Sequence, residues 1–196
     1  MTAFKDLFIQ GYLFKVQTKL YVFQRNPVIM AKQENTSNDE IVKAYHEHCC
    51  RELLREFCTT VLQQMSHADL EFQKTTSLDI AAQILPYGKQ VDMTQQIISL
   101  IVNKFGDSSI KVKCHAINTM VKILTRSFGD SREEIQAVIL REISLFLMRP
   151  GTKPSHRIYA LGFLNKAAAI IVGSGSVDAR HSILSIYFNL FNQLLH

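Results

Sequence analysis

Six basic side chains in the second half of the chain are the strongest candidates for binding an anionic ligand. Four of them lie in or just after the stretch 149–154, whose two prolines restrict its backbone. The other two lie at the start of an earlier expected helix. Fixed cations beside a helix N-terminus suit phosphate groups. The pattern predicts a nucleic-acid-binding ridge formed by Lys111, Lys113, Arg149, Lys153, His156 and Arg157.

The overall charge leaves a second interpretation of these residues open. The chain has 22 Lys and Arg against 17 Asp and Glu, a formal net charge of +5. The surplus lies in residues 104–157, which hold ten basic and five acidic side chains. A concentrated basic face is what a phosphate backbone or an acidic partner requires. A net charge of this size alone favours a solvated helix face, and Lys113 and Arg157 could instead pack their stems between repeats.

No arrangement of residues predicts catalysis. His46 and Cys50 lie one helical turn apart, like half of a metal site, but no second pair of ligands has matching spacing. Cys114 and His115 are neighbours, whose side chains point about 100° apart on a helix. The stretch 173–176 lacks the Gly-Lys-Ser/Thr of a phosphate loop. We therefore expect no enzyme activity, no catalytic residue, no metal, no cofactor and no small-molecule substrate.

The elements that must position the cations are helices. Apolar residues recur with helical periodicity, and no segment alternates apolar and polar residues for long enough to predict a strand. Ser37 with Glu40, and Ser131 with Glu134, form potential capping boxes. Glycines recur at near-even intervals, where helices are expected to end: Gly88, Gly106, Gly129, Gly151 and Gly173. The expected helices cover 39–65, 66–85, 92–105, 110–127, a segment starting at 131, 155–172, and 177 to the end.

Helices that correspond to one another begin at about 92 and 131, and at about 110 and 155. Helix pairs repeated every 40 to 47 residues are typical of HEAT and armadillo proteins. The sequence thus predicts an all-α, right-handed HEAT/armadillo-like α-solenoid of stacked antiparallel helix pairs. We expect an N-terminal helical or irregular segment over 1–38 and a repeat domain over 39–196, incomplete at its C-terminal end.

The last expected helix is apolar around nearly its whole circumference, which is typical of a buried helix. A solenoid normally ends in a polar-faced cap. We therefore expect either that the chain has been cut from a longer protein or that a partner covers this end. The residues expected to bind that partner are Tyr187, Phe188, Leu190, Phe191, Leu194 and Leu195.

Two further features concern the compartment. The longest charge-free run, 182–195, is shorter than the roughly 20 apolar residues of a membrane span, so no membrane partner is expected. The four cysteines form no regular framework, which favours a reducing compartment.

Several stretches resemble, in order and spacing, the CCAAT-binding-factor family. Residues 100–124 read LIVNKFGDSSIKVKCHAINTMVKIL, and 138–166 read VILREISLFLMRPGTKPSHRIYALGFLNK. The run 185–191 is similar to the family's IYFxLF segment, and 4–8 with 23–27 resemble its DLF…FxQRP segment. The loop 151–154 departs from an Asn-Ile-Ser-like turn. Residues that match within 138–166 are Glu142, Phe146, Arg149, Pro150, Arg157, Tyr159, Ala160, Phe163, Leu164 and Asn165.

The resemblance implies a ribosome biogenesis factor: a helical scaffold without catalysis that assembles early large-subunit (pre-60S) particles in the nucleolus. It implies pre-rRNA, other pre-60S assembly factors and a protein like nucleolar complex protein two as partners. Family members are far longer than this chain. Two alternatives stay open. One is a HEAT-repeat protein-interaction adaptor without RNA contact, and the other is a nuclear, transcription-associated CCAAT-binding factor.

Overall fold

Every regular element in the part of the chain that the structure describes is helical. The structure is a computed structural model that describes residues 3, 6, 20–31, 37–87, 92–126, 132–174 and 177–195. Short 3-10 turns cover Phe23–Arg25 and Lys104–Gly106, and a π-helical segment, Phe57–Leu62, joins α2 to α3. The α-helices are α1 (Pro27–Ala31), α2 (Asn38–Glu56), α3 (Gln63–His67), α4 (Glu71–Ile84), α5 (Thr94–Asn103), α6 (Ile110–Thr125), α7 (Arg132–Met148), α8 (Pro154–Ser174) and α9 (Val177–Leu195).

The later helices form two layers in which each helix contacts the one two places along the chain. Helices α4, α6 and α8 pack side by side in one layer, and α5, α7 and α9 pack in the other. Successive helices such as α4 and α5, or α8 and α9, connect the two layers. Helices that were expected to correspond, α5 with α7 and α6 with α8, are therefore direct neighbours.

Hydrogen bonds between α5 and α7 show that helices within a layer are parallel. Gln95, near the start of α5, donates to Glu142 over 3.0 Å. Asn103, at the end of α5, accepts from Arg149, just beyond α7, over 3.2 Å. Residue numbers increase in the same direction along both helices between these two contacts, so α5 and α7 run parallel. The side-chain contacts between α4 and α6 follow the same order.

Helices α8 and α9 instead run antiparallel, as two helices joined by a short connection do. Arg180, near the start of α9, donates to the carbonyl of Val172 near the end of α8 over 2.7 Å. Tyr187, about two turns later, donates to Asn165, which lies earlier in α8. From the first contact to the second, residue numbers rise along α9 and fall along α8, so the two helices are antiparallel.

An aromatic cluster joins the two layers beside the turn from α5 to α6. Phe105, fully buried in that turn, lies 5.5 Å from the ring centroid of Phe163 in α8 and 6.3 Å from that of Phe146 in α7. Ser109 then caps α6 by accepting from the backbone N–H of Val112. The turn is thus held against both helices that flank the basic loop 149–154.

Several expectations are confirmed. The capping box of Ser37 and Glu40 is present at the start of α2. The apolar residues that recur with helical periodicity in α6 and α7 lie on buried or half-buried faces, the half-buried positions being Val121 and Val138. Gly151 has a φ of +80°, the left-handed conformation expected just past a helix.

Other expectations are wrong. Ser66 does not begin a helix: the previous helix continues to His67, and the Ser66 hydroxyl donates back to the carbonyl of Gln63, so that the next helix begins only at Glu71. Gly173 lies within the last turn of α8 rather than beyond it. In α2 one predicted apolar row is largely exposed, at Ile41, Tyr45 and Leu53, because the helix buries its adjacent face instead.

Some expectations fall outside the described residues. These are the second capping box, because Ser131 is not described, together with the glycines at 88 and 129, the segment 4–8 apart from residue 6, and the residues 175–176 of the last expected turn.

Candidate nucleic-acid interface

The turn from α5 to α6 holds a small ionic network that sequence reasoning missed. Asp107 accepts from the ammonium of Lys74 in α4 over 3.1 to 3.2 Å and lies 3.6 Å from that of Lys104. Its side chain also accepts from the backbone N–H of Ser109 over 3.0 Å. Both lysines and the aspartate are buried or half-buried. The network ties α4 to the turn and leaves one carboxylate shared between two cations.

Burial and charge shift the pKa values of this network. Burial lowers the pKa of Lys104, an effect that Asp107 opposes and that the like charge of Lys74 reinforces. Burial alone would raise the pKa of Asp107. The hydrogen bond from Ser109 and the two lysines outweigh that effect, so that the pKa lies below its ordinary value. The carboxylate is therefore charged in the folded protein at neutral pH.

Lys113 is the only member of the predicted ridge with a buried side chain among the described residues. It is 7% exposed, and its ammonium lies 5.0 Å from the ring centroid of Tyr159 in α8. An ammonium over a tyrosine ring is a favourable cation–π contact. The stem of Lys113 thus packs between α6 and α8.

Three further members of the predicted ridge lie at the start of α8, beside Lys113. Lys153 is exposed, while His156 and Arg157 are half-buried. Burial lowers the pKa of His156, and the nearby charges of Lys113 and Lys153 lower it further. These four residues, Lys113, Lys153, His156 and Arg157, form what we call the basic cluster.

Arg149 lies at the other end of the same loop. Its guanidinium donates to Asn103 over 3.2 Å and lies 5.9 Å from the ring centroid of Phe146. Thr152 closes this loop with two hydrogen bonds. Its backbone N–H donates to the carbonyl of Arg149, and its hydroxyl donates to the carbonyl of Phe146. Arg149 and Lys153 are therefore exposed cations at the two ends of one short loop.

Lys111 is exposed but lies apart from the basic cluster. Residues two apart on an α-helix point about 200° away from each other, so Lys111 and Lys113 occupy opposite faces of α6. The structure brings Lys113, Lys153, His156 and Arg157 together and places Arg149 across the loop. It gives Lys111 no contact with any of them within the described ranges.

Part of this arrangement has a signal in the sequence. Lys113 continues the apolar row of Ile117, Met120 and Leu124, which predicts its burial. Tyr159, one turn and a half into α8, is one of the residues within 138–166 that resemble the CCAAT-binding-factor family. Its ring lies beneath the ammonium of Lys113. For Lys74 no sequence signal predicted its contact with Asp107, because it lies 33 residues earlier.

The expected partner-binding residues in α9 have mixed surroundings. Phe188 is 66% exposed, and Phe191 is similarly exposed. Tyr187, whose pKa burial raises, and Leu190 pack partly against the core. The side chains of Leu194 and Leu195 lie outside the described residues. One face of this helix, with Ile183 and Ile186, packs on the core, while Phe188 and Phe191 lie on an exposed face.

The other residues considered for chemistry do not form a site. Among the described residues no group of three or more His, Cys, Asp or Glu side chains could hold a metal ion. His46 is exposed while Cys50 is buried. His115 contacts Asp79 over 2.9 Å rather than Cys114. Burial raises the pKa of the Cys58 thiol to about 12, which keeps it protonated and unreactive.

Comparison with known proteins gives two distant relatives. Over 195 residues, 100% of the chain, it is 24% identical to an uncharacterised protein of Schizosaccharomyces pombe and covers 21% of that protein. Over 170 residues, 85% of the chain, it is 25% identical to Nucleolar complex protein 1 of Drosophila melanogaster and covers 14% of it.

The chain is distantly similar to Nucleolar complex protein 1. It spans about a fifth or less of the length of the curated relatives it matches. No protein-family model matches it, and no solved structure matches it. Within the described residues, no helix is both long and apolar enough to cross a membrane.

Proposed function

We propose that this chain is a non-catalytic helical scaffold of ribosome biogenesis, which assembles early pre-60S particles in the nucleolus by holding protein partners and pre-rRNA. The observation that carries the proposal is the similarity to Nucleolar complex protein 1 over 85% of the chain. The partner we propose is a protein like nucleolar complex protein two, together with other pre-60S assembly factors. We propose membership of the CCAAT-binding-factor family on the same grounds.

The architecture we propose is a HEAT/armadillo-like α-solenoid over 39–196, preceded by an N-terminal segment over 1–38. It is supported by the two layers of helices and by the parallel direction within a layer. In such a stack each helix pair contacts only its neighbours, and the exposed edges serve as extended binding surfaces. The basic loop 149–154 lies at one such edge, between α7 and α8.

The RNA contact that we propose is electrostatic. Arg149, Lys153 and Lys111 are exposed; Lys153 belongs to the basic cluster, and Arg149 lies across the loop from it. No acidic residue occupies the first turn of α8. Cations bound to phosphates release counterions, so the affinity for RNA should fall steeply as salt is added.

The experiment that tests the RNA contact compares two triple variants of the full chain. In one, Lys111, Arg149 and Lys153 are changed to Gln. In the matched control, the exposed Lys43, Lys122 and Lys166 are changed to Gln, which removes the same charge elsewhere.

Each variant is tagged, isolated with its complex at low salt, and examined for pre-60S proteins and precursor rRNA. We expect the first variant to lose rRNA and the control to retain it. If both retain rRNA equally, the predicted ridge does not bind it. A complex that contains proteins alone, insensitive to salt, would identify the chain as an adaptor without RNA contact.

The exposed face of α9 provides the test of the protein partner. We expect the double change Phe188→Ser and Phe191→Ser to release pre-60S proteins while the stability of the chain is kept, because both rings are exposed. Phe72→Ser is the matched control, since Phe72 is an exposed ring at the start of α4. Equal recovery of partners with both variants would exclude α9 as their docking site.

A further inference from the structure

Lys113 has a largely buried stem, and its ammonium, at the edge of the packed region, has no anionic partner among the described residues. Only 7% of the residue is exposed, and its recorded contact is the ring of Tyr159. The described residues place no carboxylate within ion-pair distance of it and no hydrogen-bond acceptor beside it. Buried charges in proteins are normally paired, because removing an ion from water is costly. A cation–π contact offsets only part of that cost.

The start of α8 adds more positive charge at the same place. The N-terminus of a helix carries a partial positive charge, so acidic side chains are favourable there and basic ones are not. Yet Lys153 precedes the helix, His156 and Arg157 lie in its first turn, and that turn has no acidic residue. Violations of a local rule that nothing nearby compensates are expected at functional sites.

The neighbouring groups do not supply the missing anion. The nearest carboxylate of the turn from α5 to α6 is Asp107, which already contacts both Lys74 and Lys104. The backbone N–H groups of His156 and Arg157 both donate to the carbonyl of Lys153. The Nε of Arg157 is buried and has no acceptor within the described part of the chain.

We propose that Lys113, Lys153 and His156 form a phosphate site that holds one phosphate group of an RNA backbone at the start of α8. This proposal rests on the proposed function, because it takes RNA as the occupant. Arg149, across the same short loop, would contact a further phosphate of the strand. The ring of Tyr159 holds the Lys113 stem in place, so the ammonium is positioned before the ligand arrives.

RNA is the occupant that these observations favour, because exposed cations flank the site. A backbone offers phosphates at short, regular intervals, and one cation held on a buried stem with exposed cations nearby matches such a chain. A bound phosphate would also remove the electrostatic conflict at the start of α8.

The experiment uses the full chain, a fluorescent 20-nucleotide poly-uridine RNA, and inorganic phosphate. Lys113→Met keeps an apolar stem over Tyr159 and removes the charge. Lys122→Met, at an exposed position of the same helix, is the matched control. We expect Lys113→Met to weaken RNA binding about tenfold and to reduce the salt slope by about 0.7, the loss of one contact to a single strand. The control should change neither.

A second measurement needs no variant. The imidazole resonances of His156 are followed by NMR as inorganic phosphate replaces chloride at constant ionic strength. A nearby anion favours the charged imidazole, so phosphate should raise the pKa of His156. Resonances of the exposed His46 serve as the internal control and should not move.

The outcomes separate the site from the function. RNA binding that is equal in Lys113→Met and wild type, with His156 unmoved by phosphate, overturns the phosphate site and leaves the proposed function standing. If RNA does not bind the wild type while phosphate shifts His156, the site holds free phosphate, and both the RNA occupant and the proposed RNA contact are wrong. If neither RNA nor phosphate acts, both proposals of anion binding fail.

Discussion

Lys104 and Lys113 lie nine residues apart on either side of one turn and are buried to nearly the same extent. Lys104 lies 3.6 Å from the carboxylate of Asp107, whereas Lys113 contacts the ring of Tyr159. The first is part of a network that connects α4 to the turn. The second carries a charge that the described residues leave without an anion. The two buried lysines therefore have different roles: Lys104 stabilises the turn, and Lys113 is the residue that we propose binds a phosphate.

The largest effect that would sharpen this comparison is expected at Asp107. Asp107→Asn removes the anion from two lysines in a buried site, and breaking such a pair costs about 3 kcal/mol of the free energy of unfolding. Urea denaturation measures the change. Asp79→Asn is the control, because its contact with His115 is more exposed and is worth about 1 kcal/mol or less. Equal losses in the two variants would show that the network at Asp107 is not a buried one.

A smaller and opposite pair of effects is expected at the lysines themselves. Lys104→Met should cost about 1 kcal/mol, since Asp107 loses one of its two cations. Lys113→Met should cost nothing or stabilise the chain, because an apolar side chain of similar length replaces a largely buried lysine that has no anionic partner among the described residues. The same denaturation experiment compares them. If Lys113→Met lowered the free energy of unfolding as much as Lys104→Met, the contrast between the two lysines would be wrong, because Lys113 would then have a stabilising partner.

A smaller effect should appear in the pH dependence of stability. The pKa of His156 is lower in the folded chain than its ordinary value of 6.5. Below that pH the unfolded chain binds more protons than the folded one, so stability should fall as the pH drops from 6.5 towards the folded pKa. The melting temperature between pH 8 and pH 5 measures this, and His156→Gln should flatten the curve over that range. A melting temperature that rises as the pH falls would contradict the burial and charge described for His156.

The smallest effect is expected at Gly106, which separates the two lysines. Its φ is not in the left-handed region, and a methyl group there would lie 3.4 Å from Nδ1 of His156 and 3.6 Å from the Phe146 ring. Gly106→Ala should therefore stabilise the chain by about 0.4 to 1 kcal/mol through the unfolded state. Thermal unfolding tests the sign. A clear loss of stability would show that the turn cannot adjust and that the added methyl group presses on His156.

Part of this fold could be predicted because local patterns decide it. The burial of Val112, Ala116 and Met120 follows from their spacing on α6, and the cap at Ser37 follows from Glu40 three residues later. Ser66 misled because a serine can bond to the preceding turn as well as cap the next helix. The exposure of Ile41 and Leu53 could not be predicted, because it depends on which helix covers α2.

The candidate site divides in the same way. The proximity of Lys153, His156 and Arg157 follows from their sequence, since they lie within five residues. Their meeting with Lys113 depends on the packing of α6 against α8, which the repeat spacing indicated only approximately. The contact of Lys74 with Asp107 spans 33 residues, so no local pattern encodes it.

The two-layer arrangement has a consequence for how the chain can move. Each of the helices from α4 onwards packs chiefly against the helices two places before and after it. Opening of α9 would break its contacts with α7 and α8 and leave those between α4 and α6 in place. Fluctuations at the far end of the stack need not disturb the geometry around Tyr159, and that geometry can persist while α9 exchanges its contacts.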